Sequence, residues 1–348
     1  MDRYIGLDVH AQTTTLVALS ATGKRVAERT LETHGTVLLQ AVREIAGTLH
    51  VCLEEGMHAE WICELLDGRV HQVVVMVPPE RSGPKSDVRD ARWLADQLRL
   101  GVPHKRVFKV RLSALREAVR AYQAIVKHST RAKLQLRFLA RSRGLAVQRS
   151  QLLSEEPRGE LLVQLPPVRR PRAALHAELV DCTERLRQQA LEQLQTQARG
   201  CPDVMRLMQV PGLGVIRAAA LVAAVVTPHR FPKREKFWSY CGLAIITRSS
   251  ADWTPRDGRM VRTGRVLTRG LTRGNSTLKC IFKSAALDVV RHYPQHPWSL
   301  AYHRAVDGGQ RTNLALLSLA RKIAETVLRI WKNKEDYDSS RHKIPPAA

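Results

Sequence analysis

Apolar and polar positions over residues 1–104 follow two periods, with strand-like stretches separated by helix-like ones. Tyr4, Ile5 and Leu7 predict a first strand that ends near Asp8, and residues 15–19 predict a second strand that forms a hairpin with it. Further strands are predicted at 49–54 and 70–77, and helices at 36–47 and 58–67. Strands and helices mixed in this way predict an α/β layered domain over residues 1–104.

The pattern becomes helical and basic after this domain. Residues 105–149 contain thirteen Lys or Arg and one acid, Glu117, and their apolar positions keep a helical period. A second helix is predicted at 173–198, after a Pro- and Arg-rich linker or turn at 157–171. We expect the two helices to form an antiparallel arm or a coiled-coil dimer contact over residues 105–200. A solvated polar face is the plainer alternative, but this charge ratio favours a nucleic-acid contact.

A second globular unit is predicted over residues 201–335, mainly helical, followed by a tail at 336–348 that is expected to be disordered after Asp338. It contains an Ala- and Val-rich helix at 215–226, a Gly- and Arg-rich region at 248–275, and helices at 276–291 and 312–331. The VPGLG segment at 210–214 is similar to the turn of a helix–hairpin–helix element, whose glycines let backbone N–H groups approach a phosphate. An ordinary tight turn is the alternative.

Charge is the strongest signal in the composition. The chain has 56 Lys and Arg against 32 Asp and Glu, a net charge of +24, which favours a polyanionic partner such as nucleic acid. There is neither an apolar run of about 18 residues nor a secretory leader pattern, so we expect a cytoplasmic protein without a membrane span. The six cysteines lack the spacing of zinc or redox motifs, and most are expected to be small buried hydrophobes.

Four carboxylates follow an order that suggests a metal site. Asp8 ends the first strand, Glu54 ends a later strand, and Asp87 and Asp90 share one face at the start of a helix. Each acid alone has a plainer explanation as a turn former, a helix cap or a first-turn acid. Their joint order is typical of ribonuclease-H-like nucleases, in which such a set can bind two Mg²⁺ ions for phosphodiester chemistry. Glu55 is the alternative to Glu54.

Two adjacent serines, Ser249 and Ser250, lie among arginines in the second unit. A serine needs activation to attack phosphorus, and arginines can stabilise charge on phosphoryl oxygens. Two loop serines in a DNA-contacting region are the alternative.

Several blocks of sequence together resemble the DEDD transposases of insertion sequences, a group of bridge-RNA-guided recombinases related to the pilin-gene invertases. The blocks occur in the family's order: IGLDVH, CLEEG, KSDVRDA, VPGLG, RFPKREKFWSYCGL, the Ser-Ser pair, LTRGNSTLK and ARKIAETVLRIWKNKEDYD. The resemblance implies a Holliday-junction-resolvase-like domain of ribonuclease-H type, a coiled-coil arm and a C-terminal transposase domain.

The resemblance also implies the chemistry and the partners. Asp8, Glu54, Asp87 and Asp90 would bind Mg²⁺, and Ser250 would form a phosphoserine link to DNA. Ser249 stays open, because Ala251 stands where the family has a glycine after its serine. A homo-oligomer, dimer or tetramer, and a structured non-coding guide RNA are the implied partners besides DNA.

Two other functions are compatible with parts of the sequence. A non-catalytic nucleic-acid-binding protein on the same fold would share the charge, but all four acids and a serine are present. GLDVHAQTTTLVAL is also similar to the first phosphate loop of actin-like ATPases and sugar kinases. Those proteins need further glycine-rich phosphate and adenosine motifs, for which DGG at 307–309 is a poor match.

Overall fold

In the computed structural model, residues 1–113 form one unit and residues 114–348 a second. The structure describes residues 1–77, 86–102, 105–107, 112–148, 150–247, 252–263 and 268–342.

The first unit is built on a six-stranded mixed sheet with the order β3-β2-β1-β4-β5-β6. Strands β1, β2 and β3 form an antiparallel meander, β4 and β5 continue parallel to β1, and β6 returns antiparallel to β5. Their bounds are β1 Asp2–Val9, β2 Thr13–Ser20, β3 Arg25–Glu32, β4 Thr48–Glu54, β5 Gln72–Val77 and β6 Lys105–Val107. This strand order is the ribonuclease-H-like arrangement, so the predicted fold class is confirmed.

Helices cover the two faces of the sheet, because alternate strand residues are apolar on both sides. Helices α1 (Gly35–Arg43) and α2 (Ala59–Leu66) pack with Ile5, Leu7 and Leu53 on one face. Helix α3 (Asp87–Arg99) covers the other face, where its buried residues meet the strand positions in between. The buried residues on this face are Val17, Leu19, Cys52, Val74, Met76, Ala91, Leu94, Ala95 and Leu98.

The second unit begins with a helical arm. Helix α4 (Ser113–Arg141) and helix α6 (Arg170–Arg199) are its long members, and α5 (Glu155–Val163) lies between them in the chain. The end of α4, α5 and the start of α6 share an apolar cluster that includes Leu136, Leu161 and Ala173. Hydrogen bonds to Glu184 of α6 from Ser129 and Lys133 of α4 extend the antiparallel pairing.

The remainder of the second unit is mainly helical. Its helices are α7 Pro202–Leu207, α8 Val215–Val225, α9 Arg234–Tyr240, α10 Ser276–His292, α11 Pro297–Asp307 and α12 Thr312–Asn333. Four short strands form two antiparallel pairs: β7 Ile245–Thr247 with β10 Thr268–Leu271, and β8 Asp252–Arg256 with β9 Arg259–Thr263. The long helix α12 is buried along one side against α10, α11 and α7.

The structure departs from the sequence predictions where the local pattern is weak. Strand β3 was not predicted, because it is a largely exposed edge strand held by its ladder with β2. The long basic helix starts at Ser113, since residues 105–107 belong to the sheet. The predicted linker at 157–171 contains most of α5, whose Pro157 lies in the first turn, where a missing N–H costs little.

None of the helices within the described residues combines the length and the apolar character needed to cross a bilayer.

Candidate functional site

The carboxyl ends of β1 and β4 bring two of the predicted acids to one edge of the sheet. The two strands are parallel, and Leu7 pairs with Leu53, so Asp8 and Glu54 follow this pair side by side. Since Leu7 and Leu53 face α1 and α2, alternation assigns Asp8 and Glu54 to the opposite face. That face is the one covered by α3.

Helix α3 begins at this same edge of the sheet. Its first turn contains Asp87 and Asp90, where acids interact favourably with the helix dipole. The helix lies very close to β1, because an added Cβ at Gly6 would stand 1.8 Å from the carbonyl oxygen of Ala91. This close approach fixes the acids of α3 relative to Asp8.

The structure brings Asp8, Asp87 and His10 into one cluster. One ligand atom of each lies within 4.8 Å of the others. His10 Nε2 is 3.4 Å from Asp8 Oδ2 and 3.7 Å from Asp87 Oδ1. The Asp8 side chain is 15% exposed, whereas those of His10 and Asp87 are about half exposed. The cluster is therefore anchored on a mostly covered carboxylate and open to solvent on its outer side.

The pKa of Asp8 is raised by its surroundings, as expected where several acids lie close together. Burial is the main cause that raises the pKa of its carboxyl group, the neighbouring His10 opposes the rise, and the negative charges of Asp87 and Asp90 add to it. Two acids that raise the pKa of a third form a region of negative potential, which a divalent cation would neutralise.

Glu54 and Asp90 lie outside the 4.8 Å cluster, although both have interactions of their own. The charge of Asp90 still acts on Asp8. Glu55, the alternative to Glu54, follows the end of β4 and donates its backbone N–H to Met76 O at 2.9 Å.

His10 is the residue that the sequence argument missed. It stands two residues after Asp8, in the turn between β1 and β2, where its backbone N–H donates to Thr13 O at 2.9 Å. A histidine beside an acid at a strand end could have been noted as a possible ligand, because imidazole nitrogens bind divalent metals. Its nearness to Asp87 depends on the packing of α3, which the local sequence does not reveal.

The donor set fits a divalent cation. Carboxylate oxygens suit Mg²⁺ and Mn²⁺, and an imidazole nitrogen adds affinity for Mn²⁺ and later transition metals. Asp8, Asp87 and His10 can supply such ligands from one side, with the outer side open to solvent or substrate.

Both predicted serines, Ser249 and Ser250, lie outside the described residues. The motifs around them do meet: an added Cβ at Gly274 would stand 2.5 Å from Gly242 N, and Asn275 N donates to Tyr240 O at 2.8 Å. The YCGL and RGN blocks thus form one tight junction, and the side chain of Asn275 also caps α10 by accepting from Leu278 N.

The VPGLG turn lies between α7 and α8 and has a packing role. Gly212 has φ +82°, and an added Cβ there would stand 2.5 Å from Ala285 O of α10. Its carbonyl accepts a hydrogen bond from Arg217, which also pairs with Asp288. Contact with α10 explains Gly212, whereas Gly214, at the N-cap of α8, has open space around it.

Sheet order and the acids gathered at its carboxyl edge define the class of the first unit as a ribonuclease-H-like domain. The DEDD transposase model of the IS110 group, described as "Transposase", matches residues 5–142. A second model, "Transposase IS116/IS110/IS902 family", matches residues 204–304. The chain therefore belongs to the IS110 family of transposases, as its sequence motifs predicted, and its enzymatic class is DNA transposase. No curated protein matches the chain.

Proposed function

We propose that the chain cuts and rejoins the DNA of an insertion sequence through a DEDD metal site formed by Asp8, Glu54, Asp87 and Asp90. The observation that carries this proposal is the cluster of Asp8, Asp87 and His10 at the carboxyl edge of a ribonuclease-H-like sheet. The shared face of Asp8 and Glu54 supports Glu54 over Glu55 as the acid from β4.

The acids are suited to hold two Mg²⁺ ions, as the four-carboxylate pattern predicts. When bound, such ions neutralise charge on a phosphodiester and stabilise both the attacking and the leaving oxygen. The backbone of Asp8 is held by its strand and that of Asp87 by the close packing of α3, so the main chain places both carboxylates before a cation binds. Ligands positioned in advance raise affinity because less conformational entropy is lost on binding.

Ser250 is proposed as the nucleophile. Its Oγ would form a bond to phosphorus while the bond from phosphorus to the leaving DNA oxygen breaks. The proton of the serine hydroxyl would pass to water, and the leaving oxygen would take a proton to become a hydroxyl group. A second attack by a DNA hydroxyl would reverse these exchanges and release the serine. Ser249 is the alternative nucleophile.

A structured RNA, encoded beside the element, is proposed to select the DNA, and a dimer or tetramer is proposed as the active form. Both follow from the family resemblance. The net charge of +24 supports polyanionic partners of either kind.

The test incubates the full chain with Mg²⁺, the flanking non-coding RNA and labelled element-end DNA, and then resolves the products under denaturing conditions. A protein–DNA adduct that needs RNA and metal is expected. Ser250→Ala should abolish it and the matched variant Ser249→Ala should retain it. Asp8→Asn should abolish it while DNA binding persists, and Asp2→Asn, at the other end of β1, should leave it unchanged.

Each other outcome changes a defined part of the proposal. An adduct that survives in Ser250→Ala but not in Ser249→Ala moves the nucleophile by one residue. Metal-dependent nicking of DNA without an adduct would support the carboxylate site and refute the role of the serine as nucleophile. Binding of DNA with neither product favours the non-catalytic protein.

A further inference from the structure

Helices α11 and α12 enclose a cleft of about 270 Å³ near the end of the described chain. Trp298 and Ala301 of α11 line one wall, and Lys322, Thr326 and Arg329 of α12 line the other. Residues 322, 326 and 329 lie within two helical turns on one face of α12. His342 also lines the cleft. The volume exceeds what a few waters fill, at about 30 Å³ each.

The charge of this cleft is unbalanced. Glu325 also lines it, but its carboxylate pairs with Arg234. Arg341, at the rim, pairs with Glu335 and Asp338. Within the described part of the chain, no ion pair is found for Lys322 or Arg329. Among the residues that the structure describes, two cations on one wall therefore lack a carboxylate at ion-pair distance.

Buried nitrogens at the cleft lack partners as well. Arg329 Nε and His342 Nε2 are buried without a hydrogen-bond partner among the described residues. A buried donor without a partner is unfavourable, so such atoms mark a place where a ligand can supply the missing acceptor. Burial, and then the positive charges of His296, Arg329 and Lys322, lower the pKa of His342 to about 4, although the negative charge of Asp338 opposes the shift. At neutral pH the ring is thus uncharged, and one tautomer can donate from Nε2.

The walls of the cleft are held in place by aromatic packing. The Trp298 and His342 rings have centroids 4.5 Å apart, and His296 Nε2 lies 2.7 Å from the Tyr337 hydroxyl oxygen. Trp298 is 3% exposed. The segment that contains Tyr337 is tied to α7 through Gln209, whose Oε1 accepts from Tyr337 N at 2.8 Å. These contacts hold Trp298 and His342 in place at the cleft.

We propose that this cleft binds a phosphate group through Lys322, Arg329 and His342, with the Thr326 hydroxyl as a further donor. Arginine and lysine donate charge-assisted hydrogen bonds to phosphate oxygens, which are stronger than bonds between neutral groups. The proposal does not depend on the carboxylate site of the first unit. The phosphate can come from a polynucleotide backbone or from a small phosphorylated molecule, and the test separates the two sources.

The first measurement is calorimetric titration of the full chain with inorganic phosphate at constant ionic strength. Lys322→Gln and Arg329→Gln should each weaken binding about tenfold, the equivalent of one charge-assisted hydrogen bond. The control variant carries Lys283→Gln and Arg291→Gln, two exposed cations on α10, and should bind phosphate like the native chain. Lys322 is exposed, so its variant should keep the native melting temperature.

The second measurement is binding of a labelled polynucleotide over a range of salt concentrations. If a backbone phosphate occupies the cleft, the Lys322→Gln variant should show a salt slope smaller by about 0.9. If its slope is native but its phosphate binding is weakened, the ligand is a small phosphorylated molecule. Native phosphate affinity in both cleft variants, or an equal loss in the α10 control, overturns the proposal.

Discussion

At the scale of single residues, one glycine controls the geometry of the acid site. Gly6 lies in the middle of β1, and a side chain there would overlap the backbone of α3 at Ala91. The buried Ala91 and Ala95 on the underside of α3 keep the helix at this short distance. Because Asp87 and Asp90 start the same helix, the separation of the acids depends on the absence of a Cβ at Gly6.

Gly6→Ala should therefore damage both stability and metal binding. The methyl group would force α3 away from β1, at a cost of about 3 kcal/mol in the free energy of unfolding. Gly56→Ala is the matched control, since a Cβ there meets no atom within 4 Å, and it should change stability by less than about 0.5 kcal/mol. Urea unfolding of both variants measures the difference. Equal stabilities would mean that α3 does not depend on this contact.

His10 should decide which divalent cation the site prefers. Its imidazole nitrogen adds a ligand that favours Mn²⁺, while Mg²⁺ is held by oxygen ligands. We expect His10→Gln to weaken Mn²⁺ binding by about tenfold and Mg²⁺ binding much less. Calorimetric titration of each metal tests this, with His34→Gln as a control on an exposed histidine that contacts Thr36. An unchanged Mn²⁺ affinity in His10→Gln would exclude His10 as a ligand.

At the scale of elements, Glu184 ties the two long helices of the arm together. It accepts hydrogen bonds from Ser129 and Lys133 of α4 and from Arg187 of its own helix. Burial alone would raise the pKa of this carboxyl, but the three hydrogen bonds outweigh burial and lower it to about 2. The ionised form is thus stabilised by the folded arm.

Acid should weaken the arm in a defined pH range. A lowered pKa in the folded state stabilises the protein above the unfolded pKa of 4.5, and this contribution is lost as the pH falls from 4.5 through about 2. We expect it to be about 1–2 kcal/mol, because solvent partly screens the pair. The measurement is the free energy of unfolding as a function of pH. The control is Glu192→Gln, which removes a carboxylate that accepts a hydrogen bond from Gln188. Between pH 4.5 and about 2, Glu184→Gln should lose less stability than this control. Identical pH profiles in the two variants would mean that Glu184 does not cause the loss of stability in acid.

At the scale of the whole molecule, the charge is divided very unevenly. Residues 1–113 contain 15 Lys and Arg and 14 Asp and Glu, whereas residues 114–348 contain 41 and 18. The second unit thus holds +23 of the net +24. The first unit supplies clustered acids and the second supplies the attraction for polyanions.

Nucleic-acid binding should therefore depend on salt through the second unit. Lys127 and Arg131 are exposed cations four residues apart on α4. Replacing both with Gln should lower the slope of log affinity against log salt by up to about 1.8 for duplex DNA. The control pair, Lys24→Gln and Arg43→Gln, removes two exposed cations from the first unit and should leave the slope unchanged. A flat salt response of the native chain would refute the electrostatic argument altogether.

Much of the architecture is encoded locally. The strand that carries Asp8 near its end, the strand that ends at Glu54 and the helix that starts at Asp87 follow from hydrophobic periods of two and 3.6 residues. These periods depend only on neighbours in the chain. The order of the acids along the chain followed from these positions, and the sequence motifs predicted the transposase family. Strand β3 and helix α5 were not predicted, because an exposed edge strand and a proline near a helix start produce no clear hydrophobic period.

The sequence by itself determined most of the elements that form, the excess of positive charge and the order of the acids along the chain. The tertiary structure alone decided that His10 and Asp87 meet across 77 positions of the chain and that Glu54 shares the face of Asp8. It also decided that Lys322, Arg329 and His342 surround one cleft. The physical reason is that contacts between distant residues depend on strand register and helix packing, which are set by the fit of the whole core.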